Sequence, residues 1–202
     1  MPSGGPVLFK VISATPEGSV MQMGFDYSKA EVPERAYYSD YCDIIKDRLG
    51  YTVIFGKLVP GAKKLRTKIE IAFPEEMFVR QVWGGSRDFH RNLTPWAEGR
   101  ATLSPIDKVE DTDKVQTFRA NNVFMGTFGE ESVQDYYYLS PREMNDATQR
   151  MRQGNVTLEP VVRVAMATVM MFEFLEKLRG LNLAEALARY AESPNENLGY
   201  RR

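Results

Sequence analysis

Residues 51–83 read YTVIFGKLVPGAKKLRTKIEIAFPEEMFVRQVW, and the order of signals within them sets the fold class. Tyr51 to Phe55 is a run of aromatic and β-branched residues, the composition of a strand. Leu65-Arg66-Thr67-Lys68-Ile69-Glu70-Ile71 alternates apolar and polar side chains, so a strand there turns one face to a core and the other to water. Pro74-Glu75-Glu76 then suits a helix start, because proline needs no amide partner there and the carboxylates meet the positive end of the dipole. Phe78 with Val82, and Val79 with Trp83, stand four residues apart and predict the buried stripe of a helix that Gly84-Gly85 ends. Strands followed by a helix place the chain in the α+β class, with antiparallel strands and proline-started helices.

Working outward, Val7 to Ser13 and Ser19 to Phe25 flank Thr15-Pro16-Glu17-Gly18 and predict an N-terminal hairpin. Between Ser86 and Lys114 the pattern weakens around Pro95 and Pro105, which reads as a linker. Val115 to Phe128 and Gln134 to Leu139 are β-rich, Ser140-Pro141-Arg142-Glu143 is a capping box opening a helix to Gln153, and Val156 to Glu159 suits a short strand. Pro160 is expected to open the longest helix, running to Arg179, and Asn182 to cap a shorter one from Leu183 to Ala191. The organisation expected is a hairpin at 1–34, a strand-strand-helix half at 35–99, a linker at 100–114, a second half with the long apolar helix and further C-terminal helix at 115–192, and a polar tail at 193–202.

The two halves look related. Arg35-Ala36 laid over Arg119-Ala120 gives an offset of 84, which also sets Thr52 to Phe55 over Tyr136 to Leu139. Pro74 over Pro160 gives 86. The stretch 51–83 resembles a small bacterial and archaeal family catalogued as a domain of unknown function, with its Phe-Gly strand ending, variable loop, alternating strand and proline-begun helix. In the second half, FRANN at 118–122 and EESVQDYYYLSP at 130–141 are similar to that family's Asn-bearing opening and acidic-aromatic strand. The resemblance implies a fold in two degenerate copies and no activity.

Composition narrows the function classes. The chain has 202 residues, 26 basic and 27 acidic, for a net charge of −1, so whole-molecule attraction to nucleic acid or to an anionic membrane is not expected. One cysteine and one histidine preclude an intrachain disulfide, a Cys/His zinc site or a classical triad within one copy. No residue is selected as catalytic, cofactor-binding or metal-ligating, and no cofactor is expected. The start MPSGGPVLFKVIS lacks a basic n-region and long apolar h-region, so a cytoplasmic location without membrane association is expected.

Gly56 to Lys64 has the glycine spacing of a phosphate loop but lacks Gly-Lys-Ser/Thr. Lys57, Lys63, Lys64, Arg66 and Lys68 form a local basic patch suited to an anion or to nucleic acid, against the simpler reading of solvated edge-strand lysines. His90 beside Asp88 reads as a surface histidine, Cys42 as a small buried residue, and Asp40, Asp43 and Asp47 match no calcium loop. The strongest feature is Val161 to Leu178, where Val161, Val164, Thr168, Met171, Phe172 and Leu175 make one helical stripe and neighbouring residues make other sides apolar. A helix apolar on several sides needs cover on several sides, either as the central helix of the molecule's own core or with one face against another subunit, and for a chain this small the subunit interface is the expectation. The expectation is therefore a non-enzymatic oligomeric structural, scaffold or adaptor protein, with like or unlike protein partners. The alternatives are a nucleic-acid-binding regulator using Lys57 to Lys68 and an enzyme without a sequence motif.

Overall fold

The computed structural model describes residues 6–14, 21–98, 100, 109–143 and 153–192. Its strands are β1 (Pro6–Ala14), β2 (Met21–Asp26), β3 (Ala36–Ser39), β4 (Tyr41–Lys46), β5 (Gly50–Leu58), β6 (Leu65–Pro74), β7 (Val115–Arg119), β8 (Asn122–Phe128), β9 (Glu131–Tyr138), β10 (Gln153–Thr157) and β11 (Glu159–Ala167). The helices are α1 (Glu75–Met77), α2 (Ser86–Ala97), α3 (Thr168–Gly180) and α4 (Ala184–Glu192), with a π-helical segment at Phe78–Gly84 joining α1 to α2. The α+β class holds, but the two larger sheets are mixed. One has the order β4-β5-β6-β7 and the other β3-β11-β9-β8, each antiparallel except for an edge strand that runs parallel to its neighbour. The predicted N-terminal hairpin is present as β1 and β2, and β10 joins β1 to make a third small sheet.

The halves are interlocked. Strand β7 leads into the second half yet pairs with β6 of the first, and β3 leads into the first half yet pairs with β11 of the second. Equivalent positions follow from the ladders. Cys42 pairs with Phe55 and Val123 with Tyr136, so 123 minus 42 and 136 minus 55 both give 81. Phe55 pairs with Ile69 and Tyr136 with Val162, so 162 minus 69 gives 93 for the strand before each main helix. The step from 81 to 93 is the insertion that carries β10. The ladders thus relate positions of the two halves at 81 and 93, not at the expected 84 and 86. Pro74 matches Ala167, while Pro160 lies within β11.

Equivalent residues meet across the centre of this arrangement. The rings of Phe55 and Tyr136 lie 6.1 Å apart, and those of Tyr37 and Phe118 lie 6.4 Å apart, each pair related by 81. The same relation governs a polar device. Asp40 Oδ1 accepts from the Leu58 amide at 2.7 Å, and Asn121 Oδ1 accepts from the Leu139 amide at 2.8 Å, so each half ties off its central strand in the same way. One main core runs through both halves, including Phe55, Ile71 and Phe78 from the first and Tyr136, Val164 and Phe174 from the second. A smaller cluster of Tyr137, Leu139, Val156 and Leu158 packs against Phe25 and Tyr27 under the hairpin sheet.

Local chemistry explains where the sequence reading and the structure part. Val161 to Ala167 is strand, not helix. Val162, Val164 and Met166 are buried while the residues between them are partly exposed, the period of a strand. Three valines favour that state, and Pro160 is tolerated because it stands at a register shift opposite β9. Gly84-Gly85 does not end the first helix either. Gly85 keeps helical angles, φ −65 and ψ −28, because glycine stops a helix by turning left-handed and here does not. The chain therefore continues into α2 through part of the expected linker, with Leu93 buried and Pro95 confined to the last turn. Of the expected capping box one arm is formed, since Ser140 Oγ accepts from the Glu143 amide at 3.2 Å, while the Glu143 carboxylate accepts from the Thr157 amide of β10 at 2.6 Å. The remainder of that predicted helix, and the tail at 193–202, lie outside the described residues. Glycine is required at Gly50, where φ is 152 and a Cβ would stand 2.0 Å from the Phe73 carbonyl oxygen.

Candidate functional site

The residues expected to meet a partner are distributed over two elements. Val161 and Val164 belong to β11, whereas Thr168, Met171, Phe172 and Leu175 belong to α3. Val164, Thr168, Met171 and Leu175 have no exposed surface, and Val161 and Phe172 are half-buried. The helical interface is corrected accordingly. The apolar surplus of α3 is real, and the other half of the same chain covers it: α3 lies along β4 of the first sheet and against α2, and Phe174 packs on Phe55 with centroids 5.7 Å apart. Lys177 fastens its outer end by donating to the Cys42 carbonyl at 2.7 Å.

The basic patch is largely compensated. Lys57 Nζ lies 2.7 Å from Asp40 Oδ2 and 4.4 Å from the centre of the Tyr38 ring. Lys68 bridges Glu70 at 2.9 Å and Asp111 at 2.8 Å, and Lys64 faces Glu110 at 4.0 Å. Asp40 comes from the β3–β4 connection, Glu70 from β6 itself, and Glu110 and Asp111 from the segment that leads to β7, a neighbour the local sequence does not announce. Lys63 and Arg66 are exposed and have no ion pair among the described residues. The glycine-spaced loop is equally unlike a phosphate cradle, because Gly56 is inside β5 with its amide donating to Ser39 Oγ at 3.1 Å.

Asp40, Asp43 and Asp47 do not converge. Asp40 holds Lys57 and the Leu58 amide, Asp43 lies 3.5 Å from Lys177 Nζ, and Asp47 accepts from the amides of Leu49 and Gly50 in the β4–β5 turn. No group of three His, Cys, Asp or Glu side chains that could hold a metal ion occurs among the described residues. Cys42 is buried as expected, and that burial pushes its thiol up to about 12, against the lowering influence of Lys177. His90 is not isolated, since its Nε2 meets Glu176 Oε1 and its ring stacks on Phe172 at 5.7 Å. No helix among the described residues is long and apolar enough to cross a membrane.

Two features escaped the sequence reading. The first is a polar network inside the second half: Ser132 Oγ donates to Thr168 Oγ1 at 3.0 Å, Thr168 Oγ1 to the Gly129 carbonyl at 2.8 Å, Gln134 to Met171 Sδ at 3.2 Å, and the Tyr136 hydroxyl to Gln134 Oε1. All four polar side chains are fully buried. Burial also drives the Tyr136 hydroxyl well above its ordinary range.

The second is the outer face of the β3-β11-β9-β8 sheet. Its ladders set Tyr38, Ala165, Val133 and Gly126 in one row across the four strands. On one side of that row, Arg163 grips Asp135 through two 2.6 Å hydrogen bonds, and on the other Ala167, Glu131 and Phe128 stand in register. Phe124 and Phe128 flank Gly126, so that a Cβ there would meet their rings at 3.2 and 3.6 Å. Short side chains thus line the row between aromatic rings. Phe128 is 73% exposed and Tyr38 51% exposed, whereas the Phe124 end is closed by Tyr27 of the hairpin layer, 5.6 Å away. Period-two alternation would have assigned these residues to one face, but only the non-local pairing of β3 places Tyr38 beside them. No family model matches this chain, and neither a curated protein nor a solved structure matches it.

Proposed function

We propose that the protein acts by association, as a non-enzymatic structural or scaffold component, and that the occupant of the Tyr38–Phe128 face is a second copy of the same chain. The observation that carries this reading is the row Tyr38, Ala165, Val133, Gly126 with Phe128 standing exposed beside it. Large aromatic rings on a sheet face of short side chains lose unfavourable contact with water when a like surface covers them. A two-fold contact brings the same patch onto itself, so it must carry both signs of charge. This patch does, with Lys57 and Arg163 alongside Asp40 and Glu131.

Size sets the strength. Four strands at about 4.8 Å spacing and two or three rows along them give a footprint of about 19 by 15 Å, below the roughly 800 Å² per partner of a standard interface. The dimer is therefore weak and concentration-dependent, and the near-neutral net charge of −1 does not oppose it. Sedimentation velocity on the native chain and on Tyr38→Ser/Phe128→Ser tests the assignment. The native sedimentation coefficient should rise with concentration and that of the variant should stay flat. Equal behaviour of the two proteins refutes this face as the contact.

A further inference from the structure

On the opposite, helical side of the molecule a cleft of about 440 Å³ opens between α2 and α3, lined by Arg87, His90, Arg91, Thr94, Pro95 and Arg179. Its charges are unevenly matched. Arg91 meets Asp88 at 3.2 Å, both well exposed, and His90 meets Glu176. Arg87 and Arg179 have no carboxylate in ion-pair reach among the described residues, although both line the same cleft.

Arg179 is set in place by its surroundings. Its guanidinium lies 4.4 Å from the centre of the Trp83 ring, and Nη2 donates to the Trp83 carbonyl and, at 2.8 Å, to Ser86 Oγ. Its Nε is buried with no acceptor among the described residues. Burial, and after it the like charge of Arg87, makes the protonated form of Arg179 harder to keep, with Glu176 acting the other way. A preorganised guanidinium with donors to spare, next to two more guanidinium groups and an imidazole, is an arrangement that an anion completes.

We propose that this cleft binds a small phosphate-bearing molecule, whose phosphate oxygens accept from Arg87, Arg91 and Arg179 while the His90 ring, braced on Phe172, forms one wall. A phosphate presents three oxygens to several guanidinium forks at once, whereas a single carboxylate satisfies only one fork. The cleft size suits a small molecule.

His90 is the only histidine of the chain, so its imidazole resonances report on the cleft without ambiguity. The test titrates the full chain with inorganic pyrophosphate at constant ionic strength and follows those resonances by NMR. Parallel titrations use sodium chloride, succinate and a single-stranded oligonucleotide. Pyrophosphate should give a saturable shift, weakened about tenfold or more in Arg87→Gln/Arg91→Gln, two solvent-facing charged contacts being worth about threefold each. Arg91→Gln alone, at a well-exposed position, should weaken it about threefold or more with an unchanged thermal midpoint. Lys63→Gln/Arg66→Gln should leave it intact. A shift reproduced by chloride, retained in both arginine variants, or obtained more tightly with succinate or the oligonucleotide overturns the assignment.

Discussion

Leu175→Ala separates a covered helix from an interface helix. Leu175 lies fully buried in α3 within the core shared by both halves. Removing its isopropyl end loses the transfer free energy of three buried carbons and leaves a cavity in the core that α3 shares with β4 and β9, which packed strands cannot readily collapse into. Leu→Ala changes at such sites cost about 2–5 kcal/mol, and a value of about 3 kcal/mol is expected here. For a chain of this length that lowers the thermal midpoint by about 6–12 °C. With a urea dependence of about 2 kcal/mol/M it moves the urea midpoint down by about 1.5 M. Circular dichroism through a urea series, with the solution mass measured on the same samples, gives both quantities. The structure requires a large loss of stability at unchanged native mass. A variant that keeps its urea midpoint but loses association would return α3 to an interface role and refute the shared-core reasoning.

Two further outcomes follow from the same contacts. Asn121→Ala removes the acceptor of the Leu139 amide and the donor to the Leu139 carbonyl, both buried, so it should cost about 2–4 kcal/mol, whereas the equivalent Asp40→Ala, whose site is half-exposed, should cost less than about half as much. Equal losses in urea melts would contradict the burial difference. The Cys42 thiol, pushed up to about 12 from an ordinary 9.0, stays neutral in the folded chain while the unfolded chain ionises. Its contribution is complete below pH 9 and is lost as pH rises toward 12, at a slope approaching about 1.4 kcal/mol per pH unit. Urea midpoints between pH 7.5 and 10.5 should therefore fall more steeply for the native chain than for Cys42→Ala, and parallel lines would refute it.

The parts of the fold legible in sequence were those written in local chemistry. Alternation in Leu65 to Ile71 placed β6, Pro74 with two glutamates placed the helix start, and Ser140 with Glu143 placed a cap. What was not legible depended on partners far along the chain. Val164, Thr168, Met171 and Leu175 satisfy a helical stripe on paper, yet the ladder with Tyr136 and Gln134 of β9 takes Val161 to Ala167 as strand. Helix and strand periods coincide over such a short apolar run, and tertiary pairing decides. The relation between halves was visible as an order of signals, but the inserted β10 shifted its register. The exchanged edge strands could not be read at all, because β3 and β7 are ordinary short strands whose partners lie far along the chain: Ala36 pairs with Arg163, 127 residues on, and Val115 with Lys68, 47 residues back. The same exchange hid Glu110 and Asp111, which face Lys64 and Lys68, and it brought Tyr38 to the face that Phe128 shares.

The most direct measurement is the light-scattering mass of the native chain from about 5 to 500 µM, a span that brackets the weak affinity expected of so small a contact. The mass should climb from 23.0 kDa toward twice that value at the upper end, and Tyr38→Ser/Phe128→Ser should hold it at 23.0 kDa with an unchanged thermal midpoint. A native chain that stays at 23.0 kDa across the whole span contradicts self-association through the sheet face.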